Sequence, residues 1–365
     1  MNRINVTKSS MPSFEEYIEE IRPLWDSRWL SNRGEIHKRF EMELCAYLDV
    51  SSVSLFANGH VGLEVPIDAF GLRGEVITTP YTHCSTMHSI VRNGLTPVLC
   101  DVTEHNYVID PDQIECYISE KTCAIMAVHV YGQVCDVEKI QRIADKYKLR
   151  VLYDAAHAFG VKVNGVGVGN FGDMAMFSCH ATKVFHTIEG GITVINDEDV
   201  RKVIDNLTNF GFTGHENVSY VSTNARMNEF EAAMGVCNLR HIDTEIERRR
   251  SAAERYEERL DGVRGIKLLH PQQGITRNFS YFPVFFDGYK EDRNEIQKKM
   301  EKENIFARKY FYPLTSELNC YAAAYGSSVT NTPVAKYASE RVLTLPMYAD
   351  LTLQDVDRIC DVILN

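Results

Sequence analysis

Between residues 50 and 197, short β-branched runs alternate with amphipathic stretches, and no other feature limits the fold of this chain as much. SVSLF is followed by HVGLEVPIDAF, EVITTP by STMHSIVRNG, TPVLCDV by DPDQIECYI, and CAIMAVHVYG by DVEKIQRIADKYK, before RVLYDAAHA. Strands separated by helices at this interval are joined by crossovers rather than hairpins, so they predict a mostly parallel sheet covered on both faces. The stretch 136–147 carries the helical signal: Asp136 is an N-cap, Lys139, Ile140, Ile143 and Ala144 form one stripe, and Lys146 and Lys148 suit the dipole at the end. Two further strands, DMAMFSC and GGITVIND, and a helix over 197–206 complete the series.

After residue 225 the pattern changes. A long charged helix from MNEFEAAMG to ERYEERL leads to strands IKLLH and FSYFPVFF, a helix over 290–303 and a last helix, LQDVDRICDVIL. A chain of 365 residues with 44% hydrophobic content suits about two domains with sizeable cores. The boundary is expected inside the long helix, giving an N-terminal arm and large domain over 1–245 and a smaller α+β domain over 246–365. With no repeat or low-complexity linker, the two are expected to pack firmly together.

Composition narrows the function. No apolar run approaches the roughly 18 residues of a membrane span, and the opening MNRINVTKSSMPS has no apolar core, so a cytoplasmic protein without membrane contact is expected. The 10 cysteines include no C-x-x-C pair, and Cys100, Cys123 and Cys179 sit in apolar runs, which argues against disulfides and zinc. Without a secretory route, the Asn5-Val6-Thr7 sequon has no use. A formal charge of −11 without a Lys/Arg cluster argues against nucleic acid. A phosphate-bearing small molecule is still admissible, because backbone amides hold phosphate without net positive charge.

Open α/β sheets bind ligands at the carboxyl ends of their strands, and three features gather there. RVLYD ends on Asp154, SLFANGHVG runs through Asn58, Gly59 and His60 into a helix start, and DMAMF delivers Ser178 and then Lys183. A lysine in such a crevice can condense with an aldehyde. An aldehyde carrier with a ring nitrogen and a phosphate is pyridoxal 5'-phosphate, which needs a Schiff-base lysine, an acid opposite the ring nitrogen and an anion cradle. Taken singly, each signal has a plainer reading: a solvated lysine, a helix-capping Asp, an Asn-Gly turn. These residues alone leave open a nicotinamide-type nucleotide enzyme, although FANGHVG lacks G-x-G-x-x-G, and a non-catalytic sugar-binding regulator.

The blocks WLSNRGEIHKRFEMEL, VITTPYTHCST, VHVYGQVCDVEKI, YDAAHAFG, FSCHATKVFHTIEGG, NARMNEFEAAMG and ERVLTLPMYADLT resemble, in order and nearly end to end, the DegT/DnrJ/EryC1/StrS sugar aminotransferases. The resemblance implies fold type I, the aspartate aminotransferase-like α/β fold of pyridoxal-phosphate-dependent transferases. It also implies a homodimer with shared active sites in which pyridoxal and pyridoxamine phosphate alternate. By the same resemblance Lys183 is the Schiff-base lysine, Asp154 the partner of the pyridine nitrogen and Ser178 a phosphate-binding hydroxyl. Gly59 and His60 stand where a small-residue turn donates amides to that phosphate, and His83 where Phe or Trp lies against the ring. His157 stands for a glutamine near the phenolic oxygen, and Asn224 for an asparagine that reaches the neighbouring subunit's phosphate. For His83, His157 and His180 the alternative is a hydrogen-bonded core residue.

An intact lysine separates aminotransferases from the family's dehydratases, which carry histidine there. The implied reaction moves an amino group from glutamate to a nucleotide-linked keto sugar. FARKYFYPLTSELNCY, DAAHA and HATKVF are most similar to the subset acting on dTDP-4-keto-6-deoxyglucose, whose 4-amino product serves O-antigens or antibiotics. C-3 transfer and UDP- or GDP-sugars are the alternatives. Tyr310 and Tyr312 are expected at the sugar, and Trp29 and Arg33 near the nucleotide, where the alternative is packing of an amphipathic arm.

Overall fold

The computed structural model describes residues 2–365. Its central sheet has seven strands: β1 Val53–Phe56, β2 Glu75–Thr78, β3 Thr96–Leu99, β4 Thr122–Val128, β5 Arg150–Asp154, β6 Met174–Ser178 and β7 Gly191–Ile195. They lie in the order β1-β7-β6-β5-β4-β2-β3. Strands β2 to β6 pair in parallel, whereas β7 is antiparallel to both β6 and β1. Every residue of β1 and of β7 is buried, as expected of strands covered on both faces.

The reversal of β7 has a direct consequence for the loop before it. A parallel crossover must carry the chain to the opposite edge of the sheet, but an antiparallel return stays where it started. The loop 179–190 therefore remains at the carboxyl edge with Lys183 on it. The ladder between β6 and β7 closes with Ser178 opposite Gly191.

The helix Glu229–Leu260 spans 32 residues and begins with a reciprocal capping box between Asn228 and Glu231. Its first half, through Ala232, Val236 and Ile242, packs on the core beneath the central sheet. Its second half, through Ala252, Tyr256 and Leu260, packs on another core built from Val284, Ile296 and Ile359. That second core lies on an antiparallel sheet of Ile266–Leu268, Phe282–Phe286 and Val342–Leu345. The start of the chain also belongs there, although the division at 245 would group it with the first domain. The Phe306 amide donates to the Ile4 carbonyl at 2.8 Å and the Met347 amide to Val6 at 3.0 Å. From there the arm reaches the lysine loop, where Ser9 Oγ donates to the Ala181 carbonyl at 2.6 Å.

Buried Glu229 ties the N-terminal region to the long helix. Its carboxylate accepts from the amides of Gly34 and Ile36 at 2.9 Å and of His37 at 3.3 Å, capping the helix Glu35–Leu48. Among the described residues no helix is long and apolar enough to cross a membrane.

A methyl group on Gly191 would lie 2.6 Å from the Asn58 carbonyl oxygen and 3.0 Å from Gly59 Cα. Both are backbone atoms, so no side-chain rotation relieves the clash. Gly191→Ala is expected to destabilise the protein by about 1–3 kcal/mol, read as a lower Tm in thermal denaturation. An unchanged Tm would mean that this close approach does not constrain the fold.

Candidate active site

A cavity of about 400 Å³ opens at the carboxyl ends of the parallel strands. Asp154, the last residue of β5, is 4% exposed at its floor. Thr86 Oγ1 donates to Asp154 Oδ2 at 2.7 Å, and the Ala156 amide donates to Oδ1 at 3.1 Å. Thr82 Oγ1 lies 2.8 Å from Thr86 Oγ1. Because the one Thr86 hydroxyl proton is committed to the carboxylate, Thr82 is the donor in that pair. The result is a buried relay from Thr82 through Thr86 to Asp154.

Lys183 sits in the loop after β6, with its amide bonded to the His180 carbonyl at 2.8 Å and Nζ donating to Tyr281 Oη at 3.2 Å. His157 Nδ1 accepts from the Tyr131 amide at 3.0 Å, which leaves the ring proton on Nε2. Burial, followed by the charges of Lys183 and His83, holds this imidazole well below the ordinary histidine range, so it is neutral. It stacks on Phe311 with centroids 5.8 Å apart and planes 2° off parallel. His83 caps the helix Cys84–Arg92, its Nδ1 accepting from the Ser85 amide at 3.3 Å. Burial and then Lys183 lower its pKa as well.

The third element is an anion cradle. The Asn58 side chain takes the Val61 amide at 3.1 Å and its carbonyl takes that of Gly62, also at 3.1 Å. The amides of Gly59 and His60, first in the helix Gly59–Ala69, have no acceptor within it. A Cβ on Gly59 would stand 3.1 Å from Ser178 Oγ, so glycine keeps this space clear beside the hydroxyl. The His60 ring is 3.2 Å from Glu64, which is itself held by Arg92 at 2.9 Å, and burial lowers the His60 pKa. His60 is thus left with its backbone amide to offer an anion. A carboxylate, an amine and a phosphate cradle around one cavity match the chemistry of pyridoxal phosphate, so the residues fit that cofactor.

Of the remaining residues expected at the site, Tyr310 lines the cavity, and burial raises its pKa. Tyr312 lies outside, its ring 4.4 Å from the Arg293 guanidinium. Arg33 lines a different cavity and pairs with Glu41 at 3.1 Å and Asp205 at 2.8 Å, so carboxylates of its own chain already meet its charge. Trp29 is exposed, with the Lys38 ammonium 5.6 Å from its ring. Asn224 is exposed and accepts from Arg226 at 3.1 Å, away from the cavity of its own chain. His180 is exposed, bonded to Thr182 at 2.8 Å and 3.4 Å from Glu189, and is no core residue.

Thr82, Thr86, Tyr281 and Phe311 escaped sequence reasoning. The i, i+4 spacing of the two threonines across a helix start was the available signal. Tyr281 and Phe311 lie in a remote segment and carried none. Thr86→Val keeps the shape of the side chain but removes the donor to Asp154. A hydrogen bond to a charged group supports an expected loss of pyridoxal phosphate affinity of about tenfold or more, with Thr86→Ser restoring it, measured by fluorescence titration. Equal affinity in the valine variant would exclude the relay.

A model described as the DegT/DnrJ/EryC1/StrS aminotransferase family matches residues 13–364. The chain is 40% identical over 350 residues to a dTDP-4-amino-4,6-dideoxy-D-glucose transaminase of Shigella dysenteriae, spanning 96% of this chain and 95% of that protein. To a protein of the same description from Escherichia coli it is 38% identical over 366 residues, spanning 99% and 98%. Among solved structures, DesI, crystallised in the presence of its TDP-sugar product, matches with a TM-score of 0.94 at 31% identity, covering 100% of this chain and 92% of that one.

Proposed function

This chain belongs to the DegT/DnrJ/EryC1/StrS aminotransferase family, and from that membership we propose that it is a pyridoxal-phosphate-dependent nucleotide-sugar aminotransferase. Its reaction moves the amino group of glutamate to C-4 of dTDP-4-keto-6-deoxyglucose. The observation that carries this reading is one cavity holding the Lys183 amine, the buried Asp154 carboxylate and the cradle of Gly59, His60 and Ser178. The relatives described as dTDP-4-amino-4,6-dideoxy-D-glucose transaminases support the choice of sugar.

Gly59, His60 and Ser178 would hold the phosphate, Asp154 the ring nitrogen, His157 Nε2–H the phenolic oxygen and His83 a ring face. When bound, pyridoxal phosphate supplies an aldehyde that takes up the amine and a protonated ring that accepts electron density from the carbon losing its proton. Asp154 provides the negative charge that retains a proton on a pyridine nitrogen, and the Thr82–Thr86 relay fixes the carboxylate. His157 contributes a donor and no charge. Lys183 Nζ moves protons between the carbon that loses one and the carbon that gains one. The enclosing Tyr281, Tyr310 and Phe311 limit the access of water to that amine.

The decisive experiment incubates the pyridoxamine form with dTDP-, UDP- and GDP-linked 3- and 4-keto sugars and follows recovery of the pyridoxal absorbance. Recovery with the dTDP-4-keto sugar alone is expected. Recovery only with a 3-keto sugar or another nucleotide would replace the substrate, and recovery with none would overturn the reading. Lys183→Ala is expected to lower kcat by about 10²–10⁴-fold and to remove the borohydride-reducible attachment at residue 183, measured by mass spectrometry.

The functional unit in this reading is a homodimer. Asn224 stands away from its own cavity, next to an exposed hairpin that presents Phe212 and Val218. An isologous pair repeats each contact twice, so Asn224 of one protomer serves the cavity of its partner. Mixing Lys183→Ala with Asn224→Ala homodimers then creates mixed dimers with one doubly defective site and one intact site. Activity is expected to rise toward half of wild type per mixed dimer in a subunit-exchange assay. No rise under proven exchange would mean that Asn224 serves its own chain or no site at all, and would overturn the shared-site reading.

A further inference from the structure

Lys183 sits in the loop after β6, yet its amine is held by Tyr281, 98 residues further along the chain and packed against the first core. Tyr281 directly precedes the strand Phe282–Phe286, and its ring is fixed from several sides. It meets His157 edge-on at 4.8 Å and 62°, Tyr310 at 5.8 Å and 88°, and Tyr131 at 6.2 Å and 66°. From this clamp the hydroxyl accepts from Lys183 Nζ at 3.2 Å, with Nζ 5.6 Å from the ring centroid. Among the described residues it is the one acceptor recorded for that amine, and no acceptor is recorded for the Tyr281 hydroxyl proton.

We propose that Tyr281 is the positioning residue for Lys183, holding Nζ at the cavity wall whenever the amine is not bonded to cofactor. This rests on the reading of Lys183 as the reactive amine. A lysine has a flexible four-carbon stem and, once released, must return to a proton-transfer position on every turnover. A phenol suits the holding role in both protonation states of the amine. Its oxygen accepts from an ammonium, and its free proton is available to the lone pair of a neutral amine. The rigid ring means that the hydroxyl defines one position rather than a range. Because the ring packs against the first core while the next residue, Phe282, lies in the second, the resting place of the amine also depends on where the strand Phe282–Phe286 is seated.

The test uses the full-length chain and Tyr281→Phe, which retains the ring packing and removes only the hydroxyl. Pyridoxal phosphate is first captured by borohydride reduction in both proteins. Lack of capture at residue 183 in wild type would overturn the reading of Lys183 itself, independently of Tyr281. Cofactor-free protein is then acetylated with trace acetic anhydride, and labelling of Lys183 is compared by mass spectrometry with that of exposed Lys121. Loss of one hydrogen bond predicts labelling about 2- to 10-fold faster in Tyr281→Phe. In single-turnover measurements with glutamate, the amine-loading rate is expected to fall about 10- to 100-fold at unchanged KM. The isotope effect with α-deuterated glutamate is expected to rise. Equal labelling and equal half-reaction rates, with capture intact in both proteins, would overturn the role of Tyr281 alone.

Discussion

The antiparallel return of β7 against β6 is the constraint on which the rest of the site depends. Its register pairs Ser178 with Gly191, and Gly191 in turn lies against the Asn58–Gly59 turn without room for a Cβ. One ladder therefore sets the spacing between a helix-start cradle, a strand-end hydroxyl and the loop that carries Lys183. A slip of one residue would turn every side chain of β7 to the opposite face, where full burial leaves no tolerance for the exchange.

The electrostatics follow from position rather than from net charge. The chain carries −11 overall, yet its anion cradle consists of two backbone amides and a hydroxyl, which need no surrounding positive surface. Asp154 lies deep in the same cavity and has a donor on each oxygen, which offsets the cost of burying a carboxylate. His157 follows the opposite logic. The Tyr131 amide selects its tautomer and burial removes its charge, so it offers a donor close to Lys183 without repelling it.

Several distant segments join the two cores. The helix Glu229–Leu260 contributes to both, and Glu229 at its start also caps the helix Glu35–Leu48. The N-terminal arm starts on the second core and ends against the lysine loop. Tyr281 and Phe311 close the cavity from the C-terminal half. Tyr281 runs directly into the strand Phe282–Phe286 of the second sheet, so the cavity wall is joined to that sheet through the chain.

The series of strands was legible because burial on two faces leaves continuous β-branched runs, and period and length are local properties of the chain. Asp154, Ser178 and Lys183 were legible for a related reason. A strand end in a parallel sheet has a known destination, so a polar residue there is already placed, and the block resemblance supplied the roles proposed for them. Tyr281 could not be found that way. Its neighbours His157 and Lys183 lie about a hundred residues away, and only the packing of its segment against the first core brings its hydroxyl to the amine. Arg33 shows the same limit in reverse, since the tertiary fold gives its charge to Glu41 and Asp205. By itself, then, the sequence determined the order of elements and the residues at their ends, because these depend on backbone period and burial. Tertiary structure alone decided which distant hydroxyls, rings and carboxylates meet them, because such contacts depend on packing between segments that share no local pattern.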